Sequence, residues 1–88
     1  MRPSVPVANP DPLLSALGDA LRTVREERGL SQEGLGLATG VHRNYIGGVE
    51  RGERQPTVAT IAKLADGLGC RTSELFVRAE ALIERSGG

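Results

Sequence analysis

Apolar residues recur along this chain at intervals of three and four, and nowhere at the alternating spacing of a strand, so five short helices are predicted. Leu14, Leu17, Leu21 and Val24 form the stripe of the first, which Asp11 caps, Pro12 opens and Gly29 stops after about Arg28. Ser31 caps the second, with Leu30 and Leu35 at the two positions of a hydrophobic staple, and Gly40 suits the left-handed turn after Thr39. Val41 and Ile46 repeat the staple around His42, a weaker cap than Ser or Thr, so the third helix starts there and runs to Arg51 or Gly52. Pro56 and Thr57 announce the fourth, whose Val58, Ile61, Leu64, Ala65 and Leu68 share a face before Gly69. The fifth follows Thr72 or Ser73.

That last helix carries Leu75, Phe76, Ala79, Leu82 and Ile83 at mixed spacing, with Val77 and Ala81 widening the stripe. A terminal helix apolar over more than one face can bury one side in its own domain and the other on a second chain. Those five residues are therefore the expected contact of a homodimer, and truncation before them is expected to leave monomers. The fold class is all-α: a compact five-helix domain over residues 11–86, with a two-residue tail at 87–88. Residues 1–10 hold three of the five prolines and no apolar period, so they read as a flexible arm.

With 88 residues there is room for one domain and a modest core, but little for a buried catalytic cleft and its supporting shell. No enzyme is expected. His42 and Cys70 are the only residues of their kinds, which rules out a disulfide within the chain and leaves no spacing for a structural zinc site, so neither metal nor cofactor is expected. Cys70 reads as a small structural residue in the turn between the last two helices. No apolar run approaches the roughly 20 residues that span a bilayer, and the N-terminus has no signal-peptide core, so a cytoplasmic protein without membrane partners is expected. The 11 basic and 11 acidic residues cancel, which argues mildly against nonspecific attraction to nucleic acid. With Tyr45 and Phe76 as the only aromatics, no stacking platform for single strands is expected, whereas duplex recognition survives both tests.

The second and third helices, joined by a short Gly-containing turn, resemble those of the phage-repressor and Cro-like helix-turn-helix family, the xenobiotic-response-element type. The resemblance spans about residues 13–76. It rests on linked pieces in order: Leu21-Arg-Thr-Val-Arg25, Gly29-Leu-Ser-Gln-Glu33, Gly40-Val41, Tyr45-Ile46, Glu50-Arg-Gly52, Arg54, Pro56, Leu64-Ala65 and Leu68-Gly69. Within the family, the segment from His42 to Arg51 looks most like the recognition segment of restriction-modification controller proteins. The resemblance implies a transcription regulator, a homodimer on a palindromic double-stranded DNA operator, with its third helix in the major groove.

Roles follow position by position as what the resemblance implies. Gln32, at the first turn of the second helix, is expected to clamp a phosphate, helped by the positive helix end. Arg43 and Asn44 match positions that read base edges, Arg suiting guanine and Asn adenine. His42 can touch phosphate or base, and Tyr45, Arg51 and Arg54 are expected on the backbone. Glu50 matches the family acid that pairs with the Arg at position 25, a structural tie. Gly34, Gly36, Gly47 and Gly48 depart from good helix formers at about 1 kcal/mol each. Gly36 reads as tight helix packing. Gly47 and Gly48 are counted with the base-reading surface, as a bare turn that either lets backbone approach DNA closely or reads nothing. The rival to DNA binding is a helical protein-interaction module with an unknown protein partner, which the neutral net charge favours.

Overall fold

The computed structural model describes residues 11–87; the arm expected at residues 1–10 and the terminal Gly88 lie outside it. Five helices follow one another: α1 (Pro12–Glu27), α2 (Gln32–Thr39), α3 (Arg43–Glu50), α4 (Val58–Leu68) and α5 (Thr72–Arg85), with no strand among the described residues. The caps explain most of the boundaries. Asp11 Oδ1 accepts the Leu13 N–H at 2.8 Å, Ser31 Oγ that of Gly34 at 2.9 Å and Thr57 Oγ1 that of Thr60 at 3.1 Å. Gly29, Gly40, Gly52 and Gly69 then supply the positive φ at which α1 through α4 are left behind.

His42 does cap α3, through an unusual acceptor: its Nδ1 receives the Asn44 N–H at 3.0 Å, which requires the proton of the neutral ring on Nε2. Two helix ends differ from the sequence reading. α3 stops at Glu50, one residue short, and α5 begins at Thr72 with Arg71 as its cap, with no side-chain hydrogen bond. A guanidinium has no acceptor to offer, so packing of the first apolar turn holds that end instead.

The core is a single cluster in which Leu17, Leu21 and Val24 of α1 meet Leu35, Ile46, Val49, Leu64 and Leu75. α1 lies along α5 and crosses α3, while α2 packs on α3 and α4. Two glycines permit the closest crossings. A Cβ on Gly18 would strike the carbonyl oxygens of Val49 and Glu50, and one on Gly67 would strike Thr39. Gly36 behaves as expected: a Cβ there would stand 2.7 Å from the Val41 carbonyl, so the turn into α3 packs directly on α2.

Two expectations differ from the observed burial. Leu75 and Ala79 are only 1% and 0% exposed, sealed against the domain's own core, so neither is available to a second chain. Their i, i+4 spacing puts them on the stripe facing α1, which half-buried Leu82 continues beside Ala16 and Ala20, while Phe76 and Ile83 flank it, half-buried. Val58, counted on the inner face of α4, stands outside the core at 77% exposure, at the N-terminal edge of the face that Ile61, Leu64, Ala65 and Leu68 bury.

Candidate nucleic-acid interface

The third helix is fixed to the scaffold through a buried chain of polar groups. Arg25, on the last turn of α1, donates Nε to Glu50 Oε2 at 2.7 Å and Nη2 to Glu50 Oε1 at 3.0 Å, a bidentate pair. Its remaining Nη1 donates to the Leu30 carbonyl at 2.7 Å, so one guanidinium joins α1, the entry to α2 and the end of α3. The side-chain hydrogen bond to Glu50 holds Arg25 above its ordinary pKa, against the opposing effect of burial. Glu50 Oε1 also accepts from Gln32 Nε2 at 3.0 Å. That bond was not legible in the sequence. It ties the residue expected to clamp DNA to the buried pair.

Around this anchor the expected site residues do come together. His42, Arg43 and Asn44 are exposed at the start of α3. Arg43 lies 3.6 Å from Glu33 of α2, an exposed pair worth little in water. Arg51, just past α3, pairs with Glu53 at 3.1 Å. Arg54 has no carboxylate partner among the described residues and sits with its guanidinium 5.9 Å from the centre of the Tyr45 ring. Tyr45 is half-buried on the core edge, and its hydroxyl donates to the Gln55 carbonyl over a long 3.4 Å. So loose a bond leaves that hydroxyl ready for a better acceptor.

Gly47 and Gly48 are placed otherwise than expected. Both are buried, and neither forms a bare turn. An ideal Cβ on Gly47 would meet Arg51 Nη1 at 2.9 Å and Gln32 Oε1 at 3.2 Å; one on Gly48 would meet Arg54 Cγ at 2.5 Å. Long polar side chains from α2 and from beyond α3 fold over the space the glycines leave, so these backbones are not presented as base readers. Sequence reasoning had also passed over Gly18, although a lone glycine inside a helical stripe is itself a mark of close contact.

Five helices in this order, a three-residue turn (Gly40, Val41, His42) between α2 and α3, and a buried Arg–Glu tie under α3 point to one architecture. Residues 21–75 match the helix-turn-helix family model HTH_3. The chain belongs to the helix-turn-helix family. The control protein C.SmaI of Serratia marcescens is 42% identical over 62 residues, 70% of this chain and 74% of that protein. Among solved structures, the restriction-modification controller protein C.AhdI from Aeromonas hydrophila superposes with a TM-score of 0.69 at 45% identity, covering 70% of this chain and 94% of that one. The controller protein C.Esp1396I, solved as a tetramer in complex with its natural 35 base-pair operator, superposes with a TM-score of 0.69 at 28% identity over 76% of this chain and 92% of that one.

The remaining chemistry of the helix-turn-helix domain is quiet. Burial first, then the nearby Glu74 carboxylate, pushes the Cys70 thiol up, against Arg28 and Arg78, so the sulfur is no activated nucleophile. No group of three or more potential metal ligands occurs among the described residues, and no helix there is long and apolar enough to cross a membrane.

Proposed function

We propose that this protein is a sequence-specific transcription regulator that binds duplex DNA as a homodimer, with α3 in the major groove. One observation carries the reading: exposed Arg43 and Asn44 open a helix that Arg25 and Glu50 lock to the scaffold, with Gln32, Arg51, Arg54 and Tyr45 flanking it. Helices presented in this way set a few side chains against base edges while their neighbours grip the backbone. Arg43 suits guanine O6 and N7, Asn44 suits adenine N6 and N7, and His42 is committed first to capping, which leaves Nε2–H as its donor. Gln32, Tyr45, Arg51 and Arg54 serve the phosphates. The operator complex of C.Esp1396I supports the same use of the shared fold.

The electrostatics fit recognition better than indiscriminate adhesion. Arg43, Arg51 and Arg54 set against Glu33 and Glu53 leave the face with a net charge of +1 (three cations less two acids). Guanine must draw Arg43, and a phosphate Arg51, away from those acids, at little cost because exposed pairs are weak. Two phosphate-binding arginines per protomer make four in a dimer, so the logarithm of affinity should fall against the logarithm of salt with a slope of about −4.

The dimer contact in this proposal is the side of α5 next to the core stripe, where half-buried Phe76 and Ile83 are joined by Val77, which is 63% exposed, and Leu82, packed toward α1, is left out of it. The two α3 helices would then meet half-sites roughly 34 Å apart on a palindromic operator. Such a regulator would act in the cytoplasm, where its duplex lies. Selection of bound duplexes from a random pool tests the reading. It should return a palindrome with that spacing and a salt-sensitive affinity; a pool that stays random would instead favour a protein-interaction module.

A further inference from the structure

Two successive glycines in an eight-residue helix weaken it, since glycine is the poorest helix former after proline. Neither Gly47 nor Gly48 has a positive φ, so the backbone conformation does not require them. What depends on them is the space beside them. The place of a Gly47 Cβ lies against the Gln32 amide and the Arg51 guanidinium, and that of a Gly48 Cβ against the middle of the Arg54 stem.

We propose that Gly47 and Gly48 are positioning residues for DNA binding: lacking side chains, they form the seat on which Gln32, Arg51 and Arg54 are held together as one phosphate clamp. The proposal rests on the DNA-binding reading above and concerns how that site is organised. Gln32 comes from α2, while Arg51 and Arg54 come from the chain beyond α3, so nothing local in sequence aligns them. The seat does so from one side and Glu50 from another, since Glu50 Oε1 takes one Gln32 Nε2 proton and leaves the second for a phosphate oxygen. Arg54 is bracketed likewise, its stem on Gly48 and its guanidinium beside the Tyr45 ring. Holding long side chains near their bound arrangement lowers the ordering cost of association.

A methyl group at position 47 meets only the far ends of two flexible side chains, which can swing into solvent. The fold then survives while the clamp loosens. Position 48 is harsher, because the Arg54 stem itself must take another path. Stability and affinity should therefore separate, which a merely structural glycine would not allow.

The test uses the full chain and the duplex that the parent protein selects. Gly47→Ala should melt at or above the parent, as alanine favours the helix, yet bind about tenfold more weakly, the loss of one charge-assisted contact, with base preference unchanged. Introduced into a Gln32→Ala/Arg51→Ala background, the same substitution should cost no further affinity. Gly48→Ala should likewise weaken binding in the parent and not in Arg54→Ala. Parent-like affinity in Gly47→Ala, an equal loss in the background lacking both clamp residues, or melting that falls in step with binding would each overturn the proposal. If the parent itself selects no duplex, the DNA-binding reading fails and this one with it, a result distinct from a parent that binds and a Gly47→Ala that binds as well.

Discussion

Replacing Glu50 with alanine isolates the element on which the recognition helix depends. The substitution removes three hydrogen bonds, two from Arg25 at 2.7 and 3.0 Å and one from Gln32 at 3.0 Å. It leaves the Arg25 side chain, 9% exposed, with the Leu30 carbonyl as its remaining partner. A guanidinium cannot shed its proton to escape, so its charge stays buried without a carboxylate. Three lost bonds at about 1 kcal/mol each and the usual penalty for a broken buried pair agree on about 3 to 5 kcal/mol. A chain of 88 residues has roughly 4 to 13 kcal/mol of stability in total, so the variant should be marginal or unfolded. Urea titration followed by circular dichroism would read this as a midpoint lowered by about 3 to 5 M if the slope is about 1 kcal/mol per M. The double variant Arg25→Met/Glu50→Leu should be more stable than Glu50→Ala, because it leaves no charge buried, yet should bind DNA poorly since Gln32 has lost its anchor. A Glu50→Ala protein destabilised by less than about 1 kcal/mol, or single losses that simply add in the double, would refute the assignment.

Arg43→Ala and Asn44→Ala should each cost about 1 to 3 kcal/mol of binding and relax base preference at one position per half-site, read by affinities for duplexes substituted base by base. Arg54→Ala should weaken all duplexes alike and reduce the salt slope of the dimer by about 2, so a change in base preference there would contradict its phosphate role. Glu53→Gln frees Arg51 from its partner and should strengthen binding to every sequence, measurable by titration at fixed salt. Gly18→Ala drives a methyl group into two backbone carbonyls that cannot swing aside and should cost about 1 to 3 kcal/mol in thermal or urea unfolding. Ile83→Asp should leave a folded monomer by sedimentation; a persistent dimer would move the interface off α5.

The correction at α5 changes how dimerisation can be tested. With Leu75 and Ala79 inside the core, truncation before α5 removes part of that core and cannot report on dimerisation alone. Point changes on the side of the helix next to the core stripe are needed instead. Apolar period alone cannot separate the two stripes, because a residue packed on α1 and one awaiting a partner chain look alike in sequence.

The five helices and their order were legible in the sequence because they depend on local chemistry. Caps at Asp11, Ser31 and Thr57, glycines at 29, 40, 52 and 69, and a stripe every three or four residues act over one or two turns. The exposed places of Arg43 and Asn44 at the start of α3 were legible as well, since both follow directly on the turn. Tertiary structure decided what depends on neighbours distant in the chain. It joined Gln32 to Glu50 across 18 residues, brought α1 onto α3 at Gly18, sealed Leu75 and Ala79 inside, and laid Gln32, Arg51 and Arg54 over Gly47 and Gly48. Those glycines show the difference most clearly. A missing side chain reads in sequence as an absence, and only the fold reveals which other side chains occupy its place.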